Sequence, residues 1–339
     1  MKKIKSIAAL CGAVLLAASL FGGCASPDEP APSSAASEAP APVEMKVAGI
    51  KGPTGIGMVG LMQASDDKTT KNTYTFTVMS GPEEAQAKLS TGEVDIAAVP
   101  TNLAAALYNK TNGEVQMLAV NTLGVLYIME NGDSIQSVAD LKGKTIYSTG
   151  QGANPEYVLR YVLEKNGLDP DKDVTIEFRS ENDELATLLA TGEAEVALVP
   201  EPVVTTAKLN NADLNVVLNM TEEWEKAAGG ASDLMMGCVA VRTDFAKENP
   251  QAVADFLTEY EASIQQAIDD VDGTAALCEK YGIIPKAAVA KQAIPRCNLT
   301  FVAGDEMKNR IGGYLEVLFT ANPQSIGGKL PDDAFYYMG

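Results

Sequence analysis

The chain has 339 residues, 46% of them hydrophobic and 6% aromatic, with 26 basic against 45 acidic side chains and a formal charge of −19. That length suits two domains with aliphatic cores, and the acidic balance argues against a nucleic-acid binder, which needs a positive face. Histidine is absent, so Ser-His-Asp, Cys-His and His-zinc chemistry are excluded, leaving carboxylate, Lys, Tyr or Cys chemistry, or none.

The N-terminus reads as a basic MKKIK, an apolar IAALCGAVLLAASLFGG and then Cys24. This apolar run is shorter than the roughly 20 residues of a membrane span, and it meets an acidic, Pro-rich stretch with no stop-transfer flank. LFGGC resembles a bacterial lipobox. The expectation is a lipoprotein signal peptide over 1–23, a lipid on the Cys24 thiol and an extracytoplasmic protein held to the bacterial cell membrane. Residues 25–44, ASPDEPAPSSAASEAPAPVE, cannot bury a core, so 24–44 is read as a flexible tether.

The fold begins near Met45. KVAGI (46–50) predicts a strand, followed by a helical run to about Gln63. YTFTVM (74–79) alternates as a strand, and PEEAQAKLSTG is a helix with a glycine stop. VDIAAV (94–99) is a continuous apolar run, as in a buried parallel strand, and TNLAAALYNK is the next helix. The rhythm then returns: KTIYST (144–149), a helix over ANPEYVLRYVLEKNGL, VTIEFR, a helix over ENDELATLLATG, and VALV (196–199). TGEVDIAAVP at 91–100 and TGEAEVALVP at 191–200 are one piece written twice, with Gly92 and Gly192 as helix stops and Pro100 and Pro200 as strand ends. Two similar α/β lobes with mostly parallel sheets follow. GCVAVRTDFA (237–246) echoes LGVLYIMENG (123–132), and the two are read as neighbouring strands of the second lobe, near the crossings between lobes. The tail from about 247 is read as mostly helical and packed on the first lobe.

In such sheets ligands sit at the carboxyl ends of the strands, against helix N-termini. This selects KGPTG (51–55), VPTN (99–102), STGQGANP (148–155) and VPEPV (199–203). The candidate ligand residues are Gly52, Pro53, Thr54, Gly55, Thr101, Asn102, Ser148, Thr149, Gly150, Gln151, Asn154 and Glu201. Thr101 and Ser148 are equally good turn or cap residues. GIGMVG (55–60) matches GxGxxG, but YTFTVM ends in MSGP with no acid for a ribose, so no nucleotide cofactor is expected. Cys238, Cys278 and Cys297 show no metal-like spacing. They read as small buried thiols, with a Cys278–Cys297 bridge left open. Trp224 reads as a structural or lobe-edge residue.

KVAGIKGPTG, TGEVDIAAVPTN, SIQSVADLKGKTIY and VAVRTDFAKENPQAVADFL resemble solute-binding lipoproteins of ABC importers. The likeness spans roughly 45–339 and is greatest to the nitrate, sulfonate, taurine and thiamine-precursor group, the NMT1/THI5-like set. The resemblance implies a type II periplasmic binding protein fold with a two-strand hinge. It places the first lobe at 45–121 plus 243–339 and the second at 122–242. The implied function is capture of a small polar organic molecule, a sulfonate, a pyrimidine or similar, in the cleft. A monomer would deliver it to ABC permease subunits, with no catalysis, metal or cofactor. An enzyme on the same fold would need a reactive Cys, Lys or carboxylate dyad in the four loops; no cysteine falls there, and Glu201 stands alone. A ligand-sensing lipoprotein without a transporter is the other alternative. Glu201 is expected to meet a ligand N–H in the cleft, or else to turn to solvent or cap its own helix start.

Overall fold

The computed structural model describes residues 41–339; the signal segment, Cys24 and the tether as far as residue 40 lie outside the described residues. The described strands are β1 (Glu44–Ile50), β2 (Thr73–Met79), β3 (Ile96–Pro100), β4 (Val115–Thr122), β5 (Leu126–Glu130), β6 (Thr145–Ser148), β7 (Thr175–Phe178), β8 (Val196–Pro200), β9 (Asn215–Asn219), β10 (Gly237–Arg242) and β11 (Leu299–Ala303). They form two sheets, ordered β11-β4-β10-β3-β1-β2 and β7-β6-β8-β5-β9. Each sheet is the floor of one lobe. The buried inner strands β3 and β8 are aliphatic almost throughout, as strands covered on both faces must be.

The repeated sequence is repeated structure. Val47 of β1 lies opposite Phe76 and Ile96, and Ile146 of β6 lies opposite Ile176 and Val196. Both neighbour pairs are parallel in each lobe. Gly92 and Gly192 stop their helices in the left-handed conformation, at φ 72° and 78°, a geometry glycine adopts without the Cβ clash. The sheets are mixed: β10 and β11 run against the other strands of the first, and β5 against those of the second.

The echo at 123–132 and 237–246 has a different meaning from the one expected. β10 is not beside β5; it lies in the first sheet, between β3 and β4, while β5 lies between β8 and β9. Gly237 to Val241 face Pro100 to Ile96 just as Leu126 to Glu130 face Pro200 to Val196. The two are equivalent strands, each entering its sheet from a crossing. The reason is connectivity: the chain leaves the first lobe after β4 and returns through 231–236, so β5 and β10 each enter their sheet from the other lobe. The grips on the crossings also match. Thr101 N–H donates to Met236 O (3.1 Å) and Glu201 N–H to Val125 O (3.0 Å).

The tail packs on both faces of the first sheet. Helix Pro250–Asp269 buries Phe256, Tyr260 and Ile264 against Met45, Val47 and Ile56. Helix Gly304–Ala321 buries Ile311, Leu315 and Leu318 in a core with Leu107 and Met117. Strand β11 interrupts the helical tail. The GIGMVG glycines serve close packing: a Cβ on Gly60 would lie 2.8 Å from Ser263 Oγ, and one on Gly57 2.7 Å from Ile264. Trp224 is fully buried between Tyr161 and Tyr314, its indole N–H donating to Ser232 Oγ at 3.0 Å. Cys238, Cys278 and Cys297 are buried free thiols with no bridge among them.

Candidate functional site

The carboxyl ends of β1, β2 and β3 face the carboxyl end of β6, with the two crossings behind them. Helices start at these ends for local reasons. Pro82 and Pro155 lie in the first turns of Pro82–Thr91 and Asn154–Lys165, where the missing N–H has no intrahelical role. Between them lies a cavity of about 440 Å³. The first lobe contributes Pro53, Thr54, Pro82, Glu83, Gln86, Pro100, Asn102 and Leu103, and the second Ala153, Asn154 and Pro155. Thr122, Val125, Met236 and Gly237 of the crossings close it.

The chemistry of this lining is specific. Helices Pro82–Thr91, Thr101–Lys110 and Asn154–Lys165 all begin at the cavity, so three positive dipole ends bear on it. None of the lining residues is Lys or Arg. Most of the wall is apolar: four prolines, Leu103, Val125, Ala153 and Met236. Within this lining a polar bridge crosses between the lobes. Asn102 Nδ2 donates to Ser325 O (3.4 Å), and Asn154 Nδ2 donates to Asn102 Oδ1 (3.0 Å). Because Ser325 O only accepts, both amide orientations are fixed. The atom left over is Asn154 Oδ1, buried and without a hydrogen-bond partner among the described residues.

Of the twelve residues selected from sequence, Pro53, Thr54, Asn102 and Asn154 line the cavity. The other eight do not. Gly52 donates its N–H to Ile283 O (3.0 Å), and Gly55 packs against the chain, a Cβ there falling 2.4 Å from Ile50 O. Thr101 is buried, its hydroxyl donating to Met235 O (2.7 Å). Ser148 Oγ donates to Thr149 O, and Thr149 Oγ1 to Asn182 Oδ1. Gly150 makes a left-handed turn and Gln151 is exposed. Glu201 does not present its carboxylate to the cleft. Its side chain is fully buried and accepts from Arg296 Nε, Thr205 N–H (3.2 Å) and Thr205 Oγ1 (3.1 Å). Burial pushes its pKa up, against the pull of Arg296 and Thr205. A ligand N–H therefore has no free Glu201 oxygen to meet, because the chain's own arginine and helix start take them.

Sequence reading missed Pro82, Glu83 and Gln86. The signal was present: SGPEEAQ follows β2, which is parallel to β1 and ends on the same side. The crossing residues carried no local signal. The buried thiols lie outside the cavity and burial holds them protonated, Cys278 up to about 12.

Residues 67–285 match the family described as ABC transporter, phosphonate, periplasmic substrate-binding protein. The chain belongs to that family. A binding protein of Brucella abortus (strain 2308) is 23% identical to this family member over 222 residues, 66% of this chain and 65% of the relative's length. Among solved structures, an ABC transporter protein from Parabacteroides distasonis superposes with a TM-score of 0.73 at 23% identity, covering 86% of this chain and 98% of that one. The periplasmic aliphatic sulphonate binding protein SsuA from Escherichia coli gives 0.67 at 15% identity, covering 87% and 93%. The fold is therefore that of periplasmic binding proteins: two mixed α/β sheets with helices. Among the described residues no group of three or more His, Cys, Asp or Glu is placed to hold a metal, and no helix is long and apolar enough to cross a membrane.

Proposed function

We propose that this chain is the solute-binding component of an ABC importer, anchored outside the membrane through a lipid on Cys24. The cavity between the lobes takes one small organic oxyanion and hands it to a permease. The lobes are best divided at the observed crossings, giving 45–122 plus 237–339 and 123–236, which moves β10 out of the second lobe.

The observation that carries the reading is the cavity wall. Three helix N-termini favour an oxyanion such as a sulfonate or phosphonate head, seated at the starts of Thr101–Lys110 and Asn154–Lys165, away from the acidic Glu83 of the wall. The apolar remainder favours an organic body over bare nitrate. The unpartnered Asn154 Oδ1 is a buried acceptor, and leaving it unsatisfied costs about 1–3 kcal/mol; a hydroxyl or N–H on the ligand would satisfy it. The preference for a donor on the ligand rests on Asn154 rather than on Glu201. The phosphonate wording of the family and the sulphonate name of SsuA agree with the head group. The wall has no thiol, lysine or carboxylate pair, which supports binding over catalysis on the same fold.

A thermal-shift panel tests this. It should contain methanesulfonate, 2-hydroxyethanesulfonate, methylphosphonate, nitrate, a pyrimidine and a neutral amide. A ligand at about 100 times its Kd stabilises the folded state by about 2.7 kcal/mol. The reading requires the largest shift from an organic oxyanion with a donor. Equal or larger shifts from the neutral amide or pyrimidine would overturn it.

A further inference from the structure

Glu201 and Arg296 come from different lobes and meet beside the hinge. Glu201 follows β8 and opens helix Val203–Asn210 in the second lobe. Arg296 ends the short turn Ile294–Arg296, whose neighbours Ile294 and Cys297 are buried in the first lobe's core with Met45 and Ile284. Neither residue lines the cavity. Arg296 Nε donates to Glu201, and Arg296 Nη2 to Thr205 Oγ1 at 2.7 Å. The same short segment holds the first crossing. Tyr127 Oη donates to Arg296 O (2.7 Å), Leu123 N–H to Asn298 O (3.0 Å) and Asn298 Nδ2 to Gly124 O (2.6 Å).

We propose that Arg296 is a positioning residue: by pairing the buried carboxylate of Glu201 it lets the lobes rest in contact, and so preserves ligand affinity without touching the ligand; this rests on reading the cleft as the ligand site. The two partners are unequal. The Glu201 side chain has no exposure, whereas that of Arg296 is 34% exposed. With the lobes in contact, losing Arg296 strands a buried carboxylate, which is strongly unfavourable. Losing the charge of Glu201 leaves Arg296 to water and keeps an acceptor for Thr205. Drawing the lobes apart hydrates both groups. The stranded carboxylate therefore opposes contact, and only while Arg296 is missing.

Four proteins test this: wild type, Arg296→Gln, Glu201→Gln and the double variant. Spin labels introduced by T69C and K172C, both exposed and one in each lobe, report the inter-lobe distance without ligand, and the native thiols among the described residues, Cys238, Cys278 and Cys297, are buried. Arg296→Gln should lengthen the distance and weaken 2-hydroxyethanesulfonate about tenfold or more. Glu201→Gln and the double variant should keep distances near wild type and affinities within about threefold. If Arg296→Gln does not fold, Arg296→Lys, which keeps the charge, should keep the wild-type distance. The proposal is overturned if Arg296→Gln keeps the wild-type distance, or if the double variant is no closer to wild type than Arg296→Gln. Failure of 2-hydroxyethanesulfonate to bind wild type would count against the ligand reading alone, because the distances decide the pair.

Discussion

Asn154 Nδ2 donates to Asn102 Oδ1 at 3.0 Å, joining the N-terminus of a second-lobe helix to the N-terminus of a first-lobe helix across the cavity. The bond fixes both amides and leaves Asn154 Oδ1 unpartnered among the described residues, the acceptor proposed above to meet a donor on the ligand. Asn154→Leu removes that acceptor at similar volume. For a ligand with a hydroxyl or amine donor, affinity should fall by a few-fold to about tenfold, the worth of one neutral hydrogen bond. Methanesulfonate, which lacks a donor, should lose less. Calorimetric titration of both proteins with both ligands checks this; an equal loss for the two would detach Asn154 from the donor.

The raised pKa of Glu201 gives a pH signature of fixed sign. A carboxyl whose folded pKa lies above its unfolded value contributes stability that is present below the unfolded pKa and lost as pH rises through the folded one. Glu201→Gln cannot titrate. The Tm of Glu201→Gln minus that of wild type should therefore become more positive between pH 4 and pH 7. Thermal unfolding across that range reads it, and a difference that moves the other way would mean Arg296 outweighs burial.

Trp224 fills the core beneath the second crossing. Trp224→Ala should destabilise by about 3–5 kcal/mol, because it opens a large hole between Tyr161 and Tyr314 and leaves Ser232 without its donor. Denaturant unfolding measures this.

Two glycines should respond to alanine with opposite sign. Gly192 sits at φ 78°, where an L side chain costs about 1–2 kcal/mol. Gly312 lies inside helix Gly304–Ala321 with nothing within 4 Å of a built Cβ, so Gly312→Ala should stabilise by roughly 0.5–1 kcal/mol. Chemical denaturation of the two variants separates the effects.

Cys24→Ala should release the protein from the membrane or leave it as an unprocessed precursor. Fractionation of expressing cells decides, and a processed, membrane-held variant would remove the lipid anchor from the account.

The lobe repeat was legible because buried parallel strands are continuous apolar runs and their helices stop at glycines, as TGEVDIAAVP and TGEAEVALVP show. β4, β9 and β11 carry no distinctive signal in sequence, and β10 joins the first sheet rather than the second. Strand identity is local, but sheet membership depends on where the chain crosses, and EVQMLAVNT does not say which sheet it joins. The site was legible as a set of loops, not as a set of side chains. Asn102 and Asn154 were among the residues selected, but Thr101 and Glu201 looked the same in sequence. Only the fold shows that Thr101 grips a crossing and that Arg296, 95 residues downstream of Glu201, takes its carboxylate.

The cavity between the lobes is proposed to hold a small organic oxyanion. Leu103 lines it without joining either polar bridge, and Leu103→Trp fills it. Titration calorimetry of wild type and this variant against short sulfonates, phosphonates and carboxylates, with and without a hydroxyl or amine, is the direct measurement. At least one donor-bearing oxyanion should bind wild type, and Leu103→Trp should weaken it at least about tenfold, or 1.4 kcal/mol. Equal affinity in the two proteins, or no oxyanion bound by wild type, would contradict the proposal.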